Sequence, residues 1–267
     1  LKPLLLSIKK QSYDNLETII VDSGSIDDTV KIAEKLGDKL IKIDQNDFTF
    51  GFAINYGIKY AKGEFICILS AHTRPTSEIW LEELVSGFIS SKINGKIAMT
   101  YGKQIGNNKS NFSEKRDFIK QFSSVDKIQS KPNYFCNNAN SMIRKDLWKE
   151  HPFDEALTGL EDIEWSKYWM DKGYDIHYKP KAEIFHIHQE TPNQIKQRFW
   201  REAIAAKSIG VLPIYKLVKQ VLLELINILK DLVFSFKENK INKWNEILYY
   251  RKNKISGIIL SLSHKKF

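Results

Sequence analysis

Cysteine is nearly missing from this chain, with two in 267 residues. Cys67 lies inside an apolar run and Cys136 follows Tyr134-Phe135, so no disulfide framework and no C-x-x-C metal pattern can be drawn. A reducing compartment is the simple expectation. Long uninterrupted hydrophobic runs are missing too. Charges break every stretch that approaches the length of a membrane span, which argues against a transmembrane helix. No internal repeat or low-complexity run is present, so a repeat array does not apply. The chain starts Leu1-Lys2-Pro3 without an initiator methionine. No signal peptide can be read there, and a further strand is expected upstream. An apolar share of 42% with 12% aromatics argues against disorder. The length suits one large domain, or one domain with an appendage.

Charge is unevenly placed. Residues 1–189 hold 26 Lys+Arg against 26 Asp+Glu, whereas residues 190–267 hold 15 against 6, so the net charge of +9 belongs wholly to the C-terminal part. A solvated basic surface, an anionic membrane surface and a nucleic acid are the three readings of such a tail. Nucleic acid is the weakest, because no recognition motif and no aromatic-basic interleaving accompany the lysines.

In the balanced part, strands and helices alternate. A short helix over 3–11 leads to an apolar β-branched strand at 16–22 and, through the loop SGSIDDT, to a helix over 28–36. Strand 38–44, helix 51–62 with Gly63 after it, strand 64–69, helix 77–91 and strand 96–105 follow. Residues 107–133 read as a polar loop with a helical piece near 114–122, and 135–148 runs from strand to helix. A helix starts near Glu161 and stops at Gly173, and 174–188 reads as two strand pieces around Pro180. This order predicts an α/β fold with a mostly parallel sheet covered on both faces. The domain spans 1–205, with a basic helical extension over 206–267. Between Pro213 and Lys237, polar residues recur at helical spacing opposite a broad apolar face. That helix either packs on its own domain or lies in a membrane interface.

Three polar clusters fall just past strand ends, where an α/β sheet assembles a site. In VDSGS, Asp22 can accept hydrogen bonds from a nucleobase or ribose, and the small residues after it admit a ligand; a plain turn is the alternative. In SAHTRP, His72 can donate to a phosphate oxygen or ligate a cation such as Mn²⁺. In TGLEDIEW, Glu161 and Asp162 open a helix, where they complement its dipole or supply a general base. His186 and His188 share one face of the expected strand. No Cys or His cluster supports structural zinc.

Taken in order, VDSGSIDDT, FTFGFAINYGIKYAKGEF, ILSAHTRP, NNANSMIRKDLW, PFDEALTGLEDIEW and IFHIH resemble the family 2 glycosyltransferases of GT-A fold, with the bacterial branch that builds surface polysaccharides most similar. The likeness covers about residues 1–205. It implies a Rossmann-like GT-A sheet flanked by helices and an inverting transfer of one sugar from a nucleotide-sugar donor to a hydroxyl of a glycan or lipid-linked acceptor. It further implies that Asp22, Ser23 and Gly24 shape the base and ribose site, and that Asn55 and Gly57 lie beside the donor. Ser70-Ala71-His72 stands where the family carries D-x-D, with Arg74 as an added cationic donor contact. Asp162 corresponds to the catalytic base with Glu161 as its neighbour, and His186 to a late metal or phosphate ligand.

The missing D-x-D carboxylates leave a divalent cation, Mn²⁺ or Mg²⁺, to be held by His72 with His186 and His188. They also leave open a catalytically impaired protein that binds nucleotide sugar as a scaffold. The Q-x-x-R-W motif of processive synthases is absent and only echoed by Gln197-Arg198-Phe199-Trp200, so a single addition is expected. The expected place is the cytoplasm, on the inner face of the plasma membrane if the tail binds lipid.

Overall fold

A computed structural model describes residues 1–89 and 96–263. They form two compact units, the first made of residues 1–105, 122–157 and 161–186, the second of 106–121, 158–160 and 187 onward. This division differs from the boundary at 205/206 read from the sequence.

The first unit begins with α1 (Lys2–Ile8), carrying Pro3 in its first turn where a missing N–H is harmless. Then β1 (Ile19–Asp22), α2 (Thr29–Leu36) and β2 (Lys39–Lys42) form a right-sized crossover, and β1 pairs with β2 in parallel. Helix α3 (Phe50–Tyr60) is capped by Thr49, whose hydroxyl accepts from Phe52 N at 3.0 Å. It ends at extended Ala61, two residues before the expected stop. Strands β3 (Phe65–Leu69) and β4 (Thr73–Pro75) flank the turn that holds His72. Helix α4 (Trp80–Ile89) leads toward β5 (Ile97–Ile105), and residues 90–91 of its expected span lie outside the described residues.

In the second unit, α5 (Phe112–Gln121) is the helical piece expected near 114–122, starting two residues earlier. The chain re-enters the first unit with β6 (Lys127–Gln129), β7 (Asn140–Arg144), α6 (Lys145–Glu150), α7 (Glu161–Asp171) and β8 (Asp175–His186). It closes with α8 (Pro192–Ser208), α9 (Ile214–Lys237) and α10 (Trp244–Ser263) of the second unit.

The six-stranded sheet runs β3-β7-β5-β8-β4, with β6 also on β8. The α/β class stands, but the expected mostly parallel pairing does not. Only β5 and β8 are parallel in this sheet; β7 runs against both β3 and β5, and β4 and β6 run against β8. Strand direction follows from whether a connection crosses the sheet or returns at the same end, and apolar runs carry no mark of that. Pro180 does not divide the last strand either. Residues Lys179 to Ile184 of β8 span the length that Gly102 to Gln104 spans in β5, so the excess is absorbed as a bulge. A Cβ at Gly102 would collide with the Ala182 carbonyl, so only glycine lets β5 pass this close.

The core beneath the sheet joins Trp80, Leu81, Leu84 and Val85 of α4 to Met142, Ala182 and Ile184. It is anchored by one buried amide: Asn140 accepts from Trp80 Nε1 at 3.0 Å and donates to Ala182 O at 2.8 Å.

Candidate active site

The end of β3 and the start of β4 make a tight turn. Ser70 O accepts from both the backbone and the hydroxyl of Thr73, at 3.1 and 2.7 Å, which lifts exposed His72 out of the strand. Register places Thr73 opposite His186, the last residue of β8. The two imidazoles stack with centroids 4.8 Å apart, and their Nε2 atoms lie 2.8 Å from each other. Ser70 Oγ sits 3.1 Å from His72 Nδ1, and Gln104 Oε1 sits 2.7 Å from Nδ1 of buried His186. An amide oxygen at Nδ1 calls for the proton there, which leaves Nε2 of His186 with its lone pair toward His72.

That geometry fits a divalent cation. Two nitrogens bound to one ion at about 2.0–2.1 Å and roughly at right angles lie about 3 Å apart. A nitrogen donor set without carboxylates departs from the all-oxygen set that a hard cation such as Mg²⁺ prefers.

From Gln104 the contacts continue to the acidic pair. Gln104 Nε2 donates to Asn137 Oδ1 at 2.9 Å. The next residue, Asn138, donates its backbone N–H to Asp162 Oδ2 at 2.9 Å and its side-chain amide to Glu161 Oε1 at 3.2 Å. Ser141 Oγ, 2.8 Å from Asn138 Oδ1, fixes that amide. Asp162 Oδ1 accepts from Ile163 N at 2.8 Å, so the first turn of α7 orients the carboxylate from its other side. Both acids are buried, although carboxylates rarely are unless held by donors. Leu160, immediately before them in the chain, has φ 60°, a left-handed conformation that a side chain with a β-carbon adopts at a cost of about 1–2 kcal/mol.

Thus His72, His186, Glu161 and Asp162, expected from the sequence, are joined by Gln104, Asn137 and Asn138. No role for these three was read from the sequence. The asparagine-rich run 137–140 was the available signal; a lone glutamine in a strand gave none.

Other expected residues sit differently. Asp22 is buried at the end of β1, where its Oδ2 accepts from Gly24 N and Ser25 N, both at 3.1 Å. Burial opposes its ionisation, but the bonds from Ser25 and Gly24 and the charge of Lys42 outweigh that and lower its pKa. Gly24 takes φ +98°, which the turn after Ser23 requires and a side chain resists. The turn reading of VDSGS therefore holds at Asp22 Oδ2, while Oδ1 makes only a 3.4 Å contact with Ser25 N.

Asn55 does not face a ligand. Its oxygen accepts from Trp148 Nε1 and Phe153 N, and its amide donates to Phe153 O and Glu155, so its hydrogen-bonding capacity is spent inside the protein. Gly57 packs α3 on β1, where a Cβ would meet Val21 at 3.0 Å. Arg74 lies one residue past Thr73 and opposite Phe185, with its guanidinium carbon 5.3 Å from that ring's centroid. Alternation along the strand puts it on the sheet face away from His186, which removes the expected diphosphate contact. Cys67 is a packed thiol rather than a nucleophile, its pKa pushed up to about 12 by burial.

His188 lies two residues beyond His186, where strand β8 ends. His188 belongs to the second unit, where its Nδ1 lies 2.8 Å from Glu114. Glu114, His188 and Glu190 bring one ligand atom each within 4.8 Å of the others. Arg198 already bonds both carboxylates, at 3.0 and 2.7 Å, so a guanidinium occupies the place a metal ion would take.

Comparison with known proteins agrees with this architecture. The O-antigen chain rhamnosyltransferase WbaN of Salmonella anatum is 26% identical over 73% of this chain and 64% of its own length. This chain therefore spans just under two thirds of that relative. The Escherichia coli enzyme named UDP-Glc:alpha-D-GlcNAc-diphosphoundecaprenol beta-1,3-glucosyltransferase WfaP is 27% identical over 77% of this chain and 79% of its own. Among solved structures, the mannosyltransferase PcManGT from Pyrobaculum calidifontis, in complex with GDP-Man and Mn²⁺, superposes with a TM-score of 0.60 at 14% identity, covering 98% of this chain and 83% of the other. At that identity the likeness speaks for the fold alone. The family model described as Glycosyl transferase family 2 matches residues 1–151, more than half of the sequence, and the chain belongs to that family.

Proposed function

We propose that this protein is an inverting glycosyltransferase. It moves one sugar from a nucleotide-sugar donor to a hydroxyl of a lipid-linked glycan during cell-surface polysaccharide synthesis. The observation that carries this reading is the continuous contact path from the histidine pair through Gln104 and Asn137-Asn138 to Asp162 and Glu161. In this reading the histidine pair serves the leaving group and the acidic pair serves as base, joined through that path. An acceptor hydroxyl is too weak an acid to attack unaided at neutral pH, so a positioned base is required. Asp162 takes its proton as the new C–O bond forms at the anomeric carbon, and the bond to the donor diphosphate breaks with its electron pair on the departing oxygen. Asn138 N and Ile163 N hold the carboxylate in place, and Glu161 shares the Asn138 amide.

Of the residues present, His72 and His186 would hold the divalent cation. Such an ion, when bound, supplies charge stabilisation to the diphosphate. The Asp22-Ser23-Gly24 turn and Ser70 line the donor side in this reading. The relative WfaP is named for a diphosphoundecaprenol-linked acceptor, which supports work at the inner face of the plasma membrane.

The absent D-x-D carboxylates favour one alternative, a donor-binding scaffold without turnover. The two readings separate in an assay of the full chain with UDP-, GDP- and dTDP-sugars. Turnover should fall by about 10²–10⁴-fold in Asp162→Asn while donor binding by thermal stabilisation persists. Unchanged turnover would remove Asp162 from its role, and donor binding without transfer or hydrolysis in the wild type would support the scaffold.

A further inference from the structure

The burial of α9 is inverted. Its inward residues include Glu224, Asp231 and Ser235, with Leu217 the only buried apolar side chain. Its outward residues are mostly hydrocarbon. Val218, Leu222, Leu225, Leu229, Val233 and Phe236 follow one another at spacings of three and four, each 45–65% exposed. This is the reverse of a helix on a water-soluble domain, where the apolar stripe faces the core.

A buried ionic cluster within the second unit explains how the polar side is accommodated. Arg251 of α10, fully buried, donates to both oxygens of Asp117 at 2.8 Å, to Glu224 at 2.6 Å and to Asp231 at 2.7 Å. Lys254 reaches Asp117 at 2.8 Å and Glu224 at 3.1 Å. Arg116 of α5 bonds Asp231 at 2.6 Å. Three acids meet three bases, so the charges are matched, and the bidentate guanidinium fixes the helices' mutual rotation. With Glu224 and Asp231 held inside, α9 cannot turn its leucines inward without stranding two carboxylates.

The same arrangement sorts the charge on the outer face. The only acids of α9 are the two buried ones, so its exposed charges are all lysine: Lys216, Lys219, Lys230 and Lys237. Lys219, Lys230 and Lys237 fall on one line at helical pitch, directly beside the apolar stripe. Tyr215 adds an exposed aromatic at the helix start, 69% accessible. Among the described residues, no helix is long and apolar enough to cross a membrane.

We infer that α9 lies in the interface of an anionic lipid bilayer, its hydrocarbon stripe in the acyl boundary and its lysine row against the headgroups. The charge complementarity selects lipid: a broad apolar face edged by cations alone matches a hydrocarbon surface rimmed by phosphates. This inference does not rest on the transferase reading, because it concerns lipid binding and not turnover.

The test is co-sedimentation of the full chain with vesicles of phosphatidylcholine alone and of phosphatidylcholine mixed with phosphatidylglycerol. Binding should favour the mixed vesicles and weaken with added salt. Lys219→Glu, Lys230→Glu and Lys237→Glu together should weaken it on the order of a hundredfold or more. Leu222→Ser, Leu229→Ser and Val233→Ser together should abolish it while the circular dichroism and melting of the protein stay as in the wild type. Failure to bind either vesicle would overturn the inference, as would apolar-face variants that bind normally. So would a lipid-free dimer dispersed by those same variants, since the face would then belong to a second copy.

Discussion

The two units build their interiors from different materials, the first from hydrocarbon alone in its main cluster, the second from hydrocarbon and a charged cluster together. In the first, hydrocarbon is buried: Leu84, Met99, Ile143 and Ile184 lose all contact with water. In the second, a smaller apolar cluster around Ala203, Leu217 and Ile258 shares the interior with fully buried Arg251 of α10, and leucines of α9 face outward. The contrast teaches that burial alone does not orient an amphipathic helix. A polar stripe goes inward when charges of opposite sign already wait there, because each buried ion is then compensated.

Breaking that compensation should have the largest effect. Arg251→Ala leaves Asp117, Glu224 and Asp231 with only Lys254 and Arg116 to balance them, and about 3–5 kcal/mol of stability should be lost in denaturant melts monitored on the second unit. A loss under about 1 kcal/mol, the level of a surface ion pair, would show that the cluster is not what holds α9.

The corresponding cut in the first unit is Gln104→Leu. It removes the acceptor at His186 Nδ1, and Mn²⁺ affinity measured by calorimetry should drop about 10–100-fold. The second unit's melting should not move. Affinity equal to wild type would separate Gln104 from metal binding.

The smallest effect is a graded one, in pH. Burial alone would raise the pKa of Asp117, but Lys254 and Arg251 outweigh it and hold the carboxyl below its ordinary range. For Glu114, burial is likewise outweighed by His188 and Arg198. A depressed folded-state pKa gives stability that is fully present above the ordinary carboxylate value of about 4 and is lost as pH falls through the lowered one. The second unit should therefore loosen below about pH 4, and Asp117→Asn should flatten that dependence.

Much of this was readable in the sequence, and the exceptions have physical causes. Apolar runs such as Phe65–Leu69 and Ile97–Ile105 marked strands because periodicity is a local property. The direction of β7 and the length of β8 through Pro180 depend on where distant segments return, which local pattern does not encode. At the site, His72, His186 and the Glu161-Asp162 pair stood out as polar groups past apolar runs. Arg74 failed because one step along a strand reverses its face. Asn55 failed because a buried amide that ties two segments together has the same letter as one that meets a ligand. The α9 pattern was legible as amphipathic, but its facing was decided by Arg251, 20 residues from Asp231 in the chain.

The Arg251 cluster also responds to warmth in its own manner. Taking ions out of water becomes less unfavourable as temperature rises, because their hydration carries a strongly negative entropy, while the gain from hydrocarbon burial levels off. The charged joint between α5, α9 and α10 therefore gains ground on apolar packing with heating, and α9 should keep its outward presentation up to the melting of its unit.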